Sequence, residues 1–176
     1  MNTSVSTERL ELVVLDAEAL DALLAGDPAA AEARTGARFS TPLRAPPHME
    51  DALPPVRDIL RKRPDEARWW NWLVIEKQTR QAAGSVSFGG PPDPEGGVLI
   101  GYSLYPEQEG KGYTTEAVLA LIRWAFSQPG LKTVRAMAPV WNTAAIRVAE
   151  RIGMHPIGSN QDDEVGEVLV YAIDRK

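Results

Sequence analysis

The spacing of apolar residues divides the chain into strand-like and helix-like segments. Residues 8–15, ERLELVVL, form the first strand-like run, and Asp16 stands where the cap of a short helix belongs. Three leucines of that helix share one face: Leu20, Leu23 and Leu24. Residues 28–64 are rich in alanine, proline and arginine, which predicts one or two helices broken at RAPPHM and LPP.

Three further strand-like runs follow, WWNWLVIE (69–76), AAGSVSFG (82–89) and GGVLIGYSLY (96–105), with polar or Pro/Gly turns between them. Alternate side chains of a strand point to opposite faces. Trp70 and Trp72 are therefore predicted to share one face, in the core, with Trp69 on the other. That second face could wall a binding pocket or a dimer contact.

The second half of the chain alternates helices and strands. Residues 115–127 are predicted to be a helix, because apolar residues recur at i, i+3, i+4 and i+7: Val118, Leu121, Ile122 and Ala125. A strand at 132–138 and a second helix at 143–152 follow, with Asn142 as N-cap and Gly153 as exit. The apolar face of that helix has four members: Ala145, Val148, Ala149 and Ile152. Residues 164–175 form the last strand, paired with a short one at 155–158. The pattern indicates a mixed α/β chain.

Composition narrows the class of protein. A chain of 176 residues is expected to form a single domain, 1–176, and its net charge of −5 argues against a protein that wraps nucleic acid. The absence of cysteine excludes disulfides, thiolate zinc sites and thiol nucleophiles. No secretory signal or membrane-spanning run is recognisable, which predicts a cytoplasmic protein with no membrane partner.

The stretch EGKGYTTEA joins the strand that ends at Tyr105 to the helix that begins near Thr114. The first amides of a helix have no intrahelical partner, and the helix dipole adds positive charge there. Glycines let the backbone approach a bulky anion, so the turn is a candidate phosphate or pyrophosphate site. A flexible turn with a helix cap is the simpler alternative. The pattern is neither a P-loop nor a full dinucleotide fingerprint.

This stretch resembles motif A of the GNAT superfamily of acetyl-CoA-dependent N-acetyltransferases, whose (Q/R)-x-x-G-x-(G/A) turn holds the pyrophosphate of coenzyme A. IGYSLYPEQEGKGYTTEAVLALIRWAF is similar to the branch of ribosomal-protein N-terminal acetyltransferases, and NTAAIRVAERIGM (142–154) resembles that branch's second helix. The resemblance implies one mixed, mostly antiparallel sheet of about six or seven strands. Helices would cover both faces, and the central strands would part in a V.

The resemblance implies a set of coenzyme A contacts. Main-chain amides of the turn would hold the pyrophosphate, Lys111 would add charge or remain a solvated lysine, and the strand before the turn would pair with the pantetheine arm. Asn142 would reach that arm with its amide, or only cap its helix. The predicted binding residues are Tyr102, Ser103, Leu104, Glu109, Gly110, Lys111, Gly112, Tyr113, Thr114 and Asn142.

Three positions depart from the family pattern. Glu109 replaces Gln or Arg, and Thr114 replaces the last Gly or Ala, which could weaken coenzyme A binding. Ala149 stands where many members carry a tyrosine as general acid, so the acid is unassigned, with Ser103, Tyr102 or a water as alternatives.

The sequence does not assign the general base either. Three carboxylates are candidates, each more typical of a surface residue or cap: Glu76, Glu107 and Glu116. His48 and His155 have no metal-ligand or triad spacing, and no metal is expected.

The implied function is acetyl transfer from acetyl-CoA to a primary amine, by direct attack through a tetrahedral intermediate that main-chain donors stabilise. A catalytically silent acyl-CoA-binding or interaction module, or a plain nucleotide-phosphate-binding domain, are the alternatives. The acceptor, a small-molecule amine or a protein N-terminus, would enter a pocket built from residues 28–72 and the last hairpin. Asp162, Asp163 and Glu164 could favour a cationic acceptor or simply solvate the hairpin tip. A homodimer would be compatible with the family.

Overall fold

A computed structural model describes residues 3–47 and 49–176. Eight strands are present among these residues, and they form one sheet in the order β1-β2-β3-β4-β5-β6-β8-β7. The strands are β1 Ser4–Ser6, β2 Leu10–Val14, β3 Asn71–Glu76, β4 Ala82–Phe88, β5 Gly97–Leu104, β6 Thr133–Pro139, β7 His155–Asp162 and β8 Gly166–Asp174. The prediction of six or seven strands missed β1, whose three residues are too few to show a period.

Five α-helices lie within the same ranges, together with 3-10 helices at Pro64–Trp69 and Pro106–Gln108. The α-helices are α1 Ala17–Ala25, α2 Pro28–Thr35, α3 Leu53–Lys62, α4 Tyr113–Phe126 and α5 Thr143–Arg151. Asp16 caps α1 as predicted, because its carboxylate accepts from the Ala19 amide. LPP was expected to break a helix, and this was wrong: it opens α3, since proline lacks only an amide that has no partner in the first turn.

All neighbouring strands pair antiparallel except β5 and β6, which run parallel. Their pairing covers Gly97–Ile100 against Thr133–Ala136 and then stops. On its other side β5 stays paired with β4 as far as Leu104. The C-terminal half of β5, residues 101–104, therefore has a ladder partner on one side only. The predicted V between central strands is present at this point.

The sheet separates two hydrophobic cores. One core lies under α4 and α5 and contains Trp72, Val118 and Leu121, whereas the other lies under α1 to α3 and contains Leu20, Leu60 and Leu73. The four predicted apolar residues of α4 are buried, and so are Ala149 and Ile152. Ala145 and Val148 are only half-buried, because α5 lies at the margin of its core.

The prediction for the tryptophan cluster was wrong. The 3-10 helix Pro64–Trp69 ends at Trp69 and has Trp70 as its C-cap, so strand alternation begins only at Asn71. Trp69 and Trp72 both pack in the core under α4, and Trp70 packs toward the opposite core. Within the described part of the chain, no helix has the length and apolar character needed to cross a bilayer.

Candidate active site

The glycine-rich turn between the second 3-10 helix and α4 leaves a row of backbone amides free. Gly110 and Gly112 have φ of 77° and 80°, in the left-handed region that favours glycine. Gly112 is the N-cap residue of α4 and provides no side-chain cap. Among the described residues, none accepts a hydrogen bond from the amides of residues 110–115. Unpartnered amides at a helix N-terminus form a site that suits an oxyanion.

The side chains of the turn leave this row of amides open. Glu109 is exposed and its side chain makes no hydrogen bond or ion pair with the described residues, whereas its amide donates to the Pro106 carbonyl oxygen over 3.3 Å. The Lys111 ammonium donates to Gln108 Oε1 over 3.2 Å and lies 5.8 Å from the Tyr113 ring centroid. The Thr114 hydroxyl is half-buried. Neither departure from the motif therefore blocks the turn in this structure.

Arg9, at the start of β2, holds the turn from outside the motif. Its Nε donates to Glu116 Oε1 over 2.9 Å, and its Nη1 donates to the Lys111 carbonyl oxygen over 2.8 Å. The guanidinium also lies over the Tyr113 ring, 4.7 Å from the centroid. Thr7 completes this contact by donating its hydroxyl to Glu116 over 2.7 Å. No local pattern in the sequence predicts this arrangement, because Arg9 and Glu116 are 107 residues apart.

The open half of β5 presents its side chains alternately to the two faces of the sheet. Tyr102 and Leu104 pack toward the core under α4 and α5. The Tyr102 hydroxyl donates to the Ala145 carbonyl oxygen over 2.9 Å, which ties β5 to α5. Ser103 faces the other way and donates to the Pro47 carbonyl oxygen over 2.7 Å. The strand thus stands between the turn of α4, the first turn of α5 and the loop before α3.

Asn142 caps α5, as one of its two predicted roles required. Its Oδ1 accepts from the Ala145 amide over 3.2 Å. No described residue accepts a hydrogen bond from its Nδ2, so this group remains available to a ligand. Asn142 and Tyr102 both meet α5 at Ala145, which places the capping amide beside the open half of β5.

Burial raises the pKa of Tyr102 to about 12, and its hydroxyl is already committed to Ala145. A phenol with such a pKa is a poor proton donor near neutral pH. Replacing Tyr102 with Phe should therefore lower the free energy of unfolding by about 1 kcal/mol through the lost hydrogen bond. We expect kcat to change by less than about threefold. Thermal melting and steady-state kinetics measure both, and a thirty-fold fall in kcat would make Tyr102 the missing acid.

Two of the three candidate bases have structural roles. Glu116 accepts from Thr7 and Arg9; burial raises its pKa, but these hydrogen bonds outweigh burial and leave the pKa below its ordinary value. Glu76 closes the turn after β3 by accepting from Thr79 and Gln78, and the Thr79 hydroxyl is the main cause of its lowered pKa. Glu107 is exposed and lines a cavity. Only Glu107 of these carboxylates is free to meet an acceptor.

His155 is exposed on β7, and His48 lies outside the described residues. Within residues 3–47 and 49–176, no group of three or more His, Asp or Glu side chains is arranged to hold a metal ion. Asp162 accepts from the Glu164 and Val165 amides, so the acidic run forms the turn of the last hairpin.

A cavity of about 510 Å³ lies between the end of β5 and the loop before α3. Its charged lining residues are Arg44, Glu50 and Glu107. The Tyr105 hydroxyl donates to the Arg44 carbonyl oxygen over 2.7 Å and helps to close one wall. Burial, with smaller effects of the Glu107 and Glu50 carboxylates, raises the pKa of Tyr105. The predicted pocket segment 28–72 thus supplies part of the lining, and the last hairpin supplies none.

Solved structures of GNAT acetyltransferases share the fold of this chain. An acetyltransferase of the GNAT family from Bacillus anthracis has this fold, with a TM-score of 0.67 at 22% identity over 98% of each chain. The ribosomal L7/L12 alpha-N-protein acetyltransferase RimL, solved in complex with coenzyme A, gives a TM-score of 0.69 at 19% identity over 98% of each chain. At these identities the likeness concerns the fold.

The sequence places the chain within that class. The model of the acetyltransferase (GNAT) domain matches residues 9–155, and the chain therefore belongs to this family. The uncharacterized N-acetyltransferase YjdG of Bacillus subtilis is 29% identical over 103 residues, which are 58% of this chain and 61% of YjdG. The uncharacterized N-acetyltransferase p20 of Bacillus licheniformis is 30% identical over 91 residues, 52% of this chain and 51% of p20. The chain thus spans between half and three fifths of these relatives.

Proposed function

We propose that this protein transfers an acetyl group from acetyl-CoA to a primary amine. The observation that carries the proposal is the run of unpartnered amides at residues 110–115, next to the open half of β5. The first feature suits a pyrophosphate, and the second suits an extended arm with amide groups. Coenzyme A contains both groups in one molecule, and its acetyl thioester supplies the group that is transferred.

Each predicted binding residue has a role in this proposal. The amides of Gly110, Lys111, Gly112, Tyr113 and Thr114 would receive the pyrophosphate, with Glu109 turned to solvent. The backbone of Tyr102, Ser103 and Leu104 would pair with the pantetheine arm, which Asn142 Nδ2 would also reach. A free main-chain amide of β5 would polarise the thioester carbonyl, since donors fixed in a sheet need no reorganisation during the reaction.

The acceptor amine would approach from the cavity at the end of β5. The cavity is large enough for a small molecule or the first residues of a peptide, and it is too small for a folded domain. Glu50 and Glu107 outnumber Arg44 in its lining, which favours a cationic amine on approach. The amine must lose its proton before it attacks, and a carboxylate of the lining, Glu107 or Glu50, would pass that proton to solvent.

A thiol-release assay tests this proposal directly. The chain contains no cysteine, so a thiol-reactive dye reports only the coenzyme A that is set free. We expect acetyl-CoA to raise the melting temperature, and at least one amine to turn over in a panel of polyamines, amino sugars, amino acids and short peptides. Absence of any thermal shift and of any binding at saturating acetyl-CoA would contradict the proposal.

A catalytically silent acyl-CoA-binding module is the second candidate. Ala149 favours it, because this residue is buried and cannot donate a proton to a departing thiolate. Glu76 and Glu116 favour it too, since both are engaged in structural hydrogen bonds. Tight coenzyme A binding without thiol release from any amine would support the silent module, whereas turnover that depends on the glycine turn would exclude it.

A further inference from the structure

We propose that Arg9 is a pyrophosphate ligand of the coenzyme A site and supplies the positive charge that Glu109 does not. This inference rests on the proposed function. Glu109 brings a negative charge to the turn, and its side chain makes no ion pair with the described residues. Here a guanidinium reaches the same turn from the start of β2, 102 residues earlier in the chain.

Contacts within the protein use only some of the hydrogen-bond donors of the Arg9 guanidinium. Arginine has five N–H groups, and two of them are used: Nε–H on Glu116 and one Nη1–H on the Lys111 carbonyl oxygen. The other Nη1–H and both Nη2–H groups have no acceptor among the described residues. These donors lie on the edge of the guanidinium that can grip two oxygens of a phosphate at once.

The free edge of Arg9 faces the turn. Nη2 lies 3.4 Å from the point where a Cβ on Gly112 would stand, so the absence of a side chain at Gly112 leaves room for the guanidinium. Gly112 is also the N-cap residue of α4, directly before the unpartnered amides of the first helical turn. The cation and those amides therefore border the same small space.

The surrounding charges orient the guanidinium and leave this edge free. Glu116 faces the Nε side, and the Tyr113 ring lies beneath the guanidinium plane. Lys111 turns its ammonium to Gln108, and Glu109 makes no ion pair with the described residues. Three separate contacts thus determine the position of Arg9, whereas the Lys111 ammonium makes a single hydrogen bond, to Gln108.

The test measures coenzyme A affinity by calorimetry for the wild type, Arg9→Gln, Arg9→Lys and a matched control. Arg135→Gln is the control, because its ion pair with Asp93 is remote from the turn and its side chain is 41% exposed against 43% for Arg9. We expect Arg9→Gln to weaken binding roughly ten- to a hundredfold, as loss of a charged hydrogen bond does. Arg9→Lys should lose less affinity, because lysine keeps the positive charge but cannot donate to two phosphate oxygens as a planar guanidinium does.

Salt dependence separates a phosphate contact from simple support of the loop. If Arg9 meets the pyrophosphate, high salt should weaken the wild type more than Arg9→Gln, so that the gap between them narrows. The inference would be overturned if the difference in coenzyme A affinity did not change with salt and Arg9→Lys bound as weakly as Arg9→Gln. Arg9 would then only support the loop. Equal coenzyme A affinity of the wild type and Arg9→Gln would overturn the inference about Arg9 but not the proposed function. Absence of coenzyme A binding by the wild type would overturn both.

Discussion

Replacing Gly112 with tryptophan is expected to abolish measurable coenzyme A binding in a protein that still folds. Gly112 has φ of 80°, and a Cβ there would stand 3.4 Å from Arg9 Nη2. A bulky side chain would thus strain the backbone at the N-cap of α4, displace Arg9 and fill the space in front of the free amides. We expect an affinity loss above about a hundredfold, because the charged contacts of an anion site are lost together. Calorimetry with coenzyme A measures it.

Gly166→Trp provides the matched control. Gly166 also has a positive φ, 84°, and is the first residue of β8, directly after the turn of the last hairpin, where a Cβ would meet no atom within 4 Å. Both variants carry the same backbone strain, and only Gly112→Trp alters the candidate site. Near wild-type binding by Gly112→Trp, with its circular dichroism unchanged, would show that the turn is only a connection between β5 and α4.

Replacing Trp72 with alanine is expected to lower the free energy of unfolding by about 3–5 kcal/mol. Trp72 is fully buried, and its ring centroid lies 4.9 Å from that of Trp124 on α4. Its indole N–H donates to the Arg68 carbonyl oxygen over 2.9 Å, so the substitution also leaves a carbonyl without a partner. Denaturant unfolding followed by circular dichroism measures the change.

Trp141→Ala is the control for this prediction. Trp141 is 64% exposed, and its indole N–H donates a hydrogen bond to the Val165 carbonyl oxygen. Loss of this hydrogen bond should lower the free energy of unfolding by no more than about 1 kcal/mol. If both variants changed the free energy of unfolding by a similar amount, the packing of Trp72 against Trp124 would add little to stability.

Helical spacing allowed the most accurate predictions from sequence. The buried face of α4 and the caps at Asp16 and Asn142 follow from local chemistry, since side chains one turn apart and cap residues interact within a few positions. The strand run that begins at Trp69 was misread because Trp69 ends a 3-10 helix and Trp70 is its C-cap, and alternation applies to neither residue. A run of aromatic residues gives no sign of where a strand begins.

The candidate site was predictable only in part. The glycine turn and β5 are continuous in sequence, so their proximity follows from the chain itself. Arg9 meets the turn through strand pairing and through Glu116, a contact that depends on the whole sheet. The roles of Glu76 and Glu116 were open for the same reason, because the donors that occupy a carboxylate are visible only after folding.

The break in pairing between β5 and β6 has a consequence for solubility. A strand edge with free backbone groups recruits other chains, and proteins usually block such edges on their outer rim. Here the unpaired edge lies in the interior of the sheet, because β6 diverges from residues 101–104 of β5 only after the two strands have paired. The gap lies between two neighbouring strands of one sheet, so we expect it to admit a narrow ligand more readily than a second polypeptide strand. The protein can thus offer strand-like recognition to a small ligand without the aggregation risk of an outer edge.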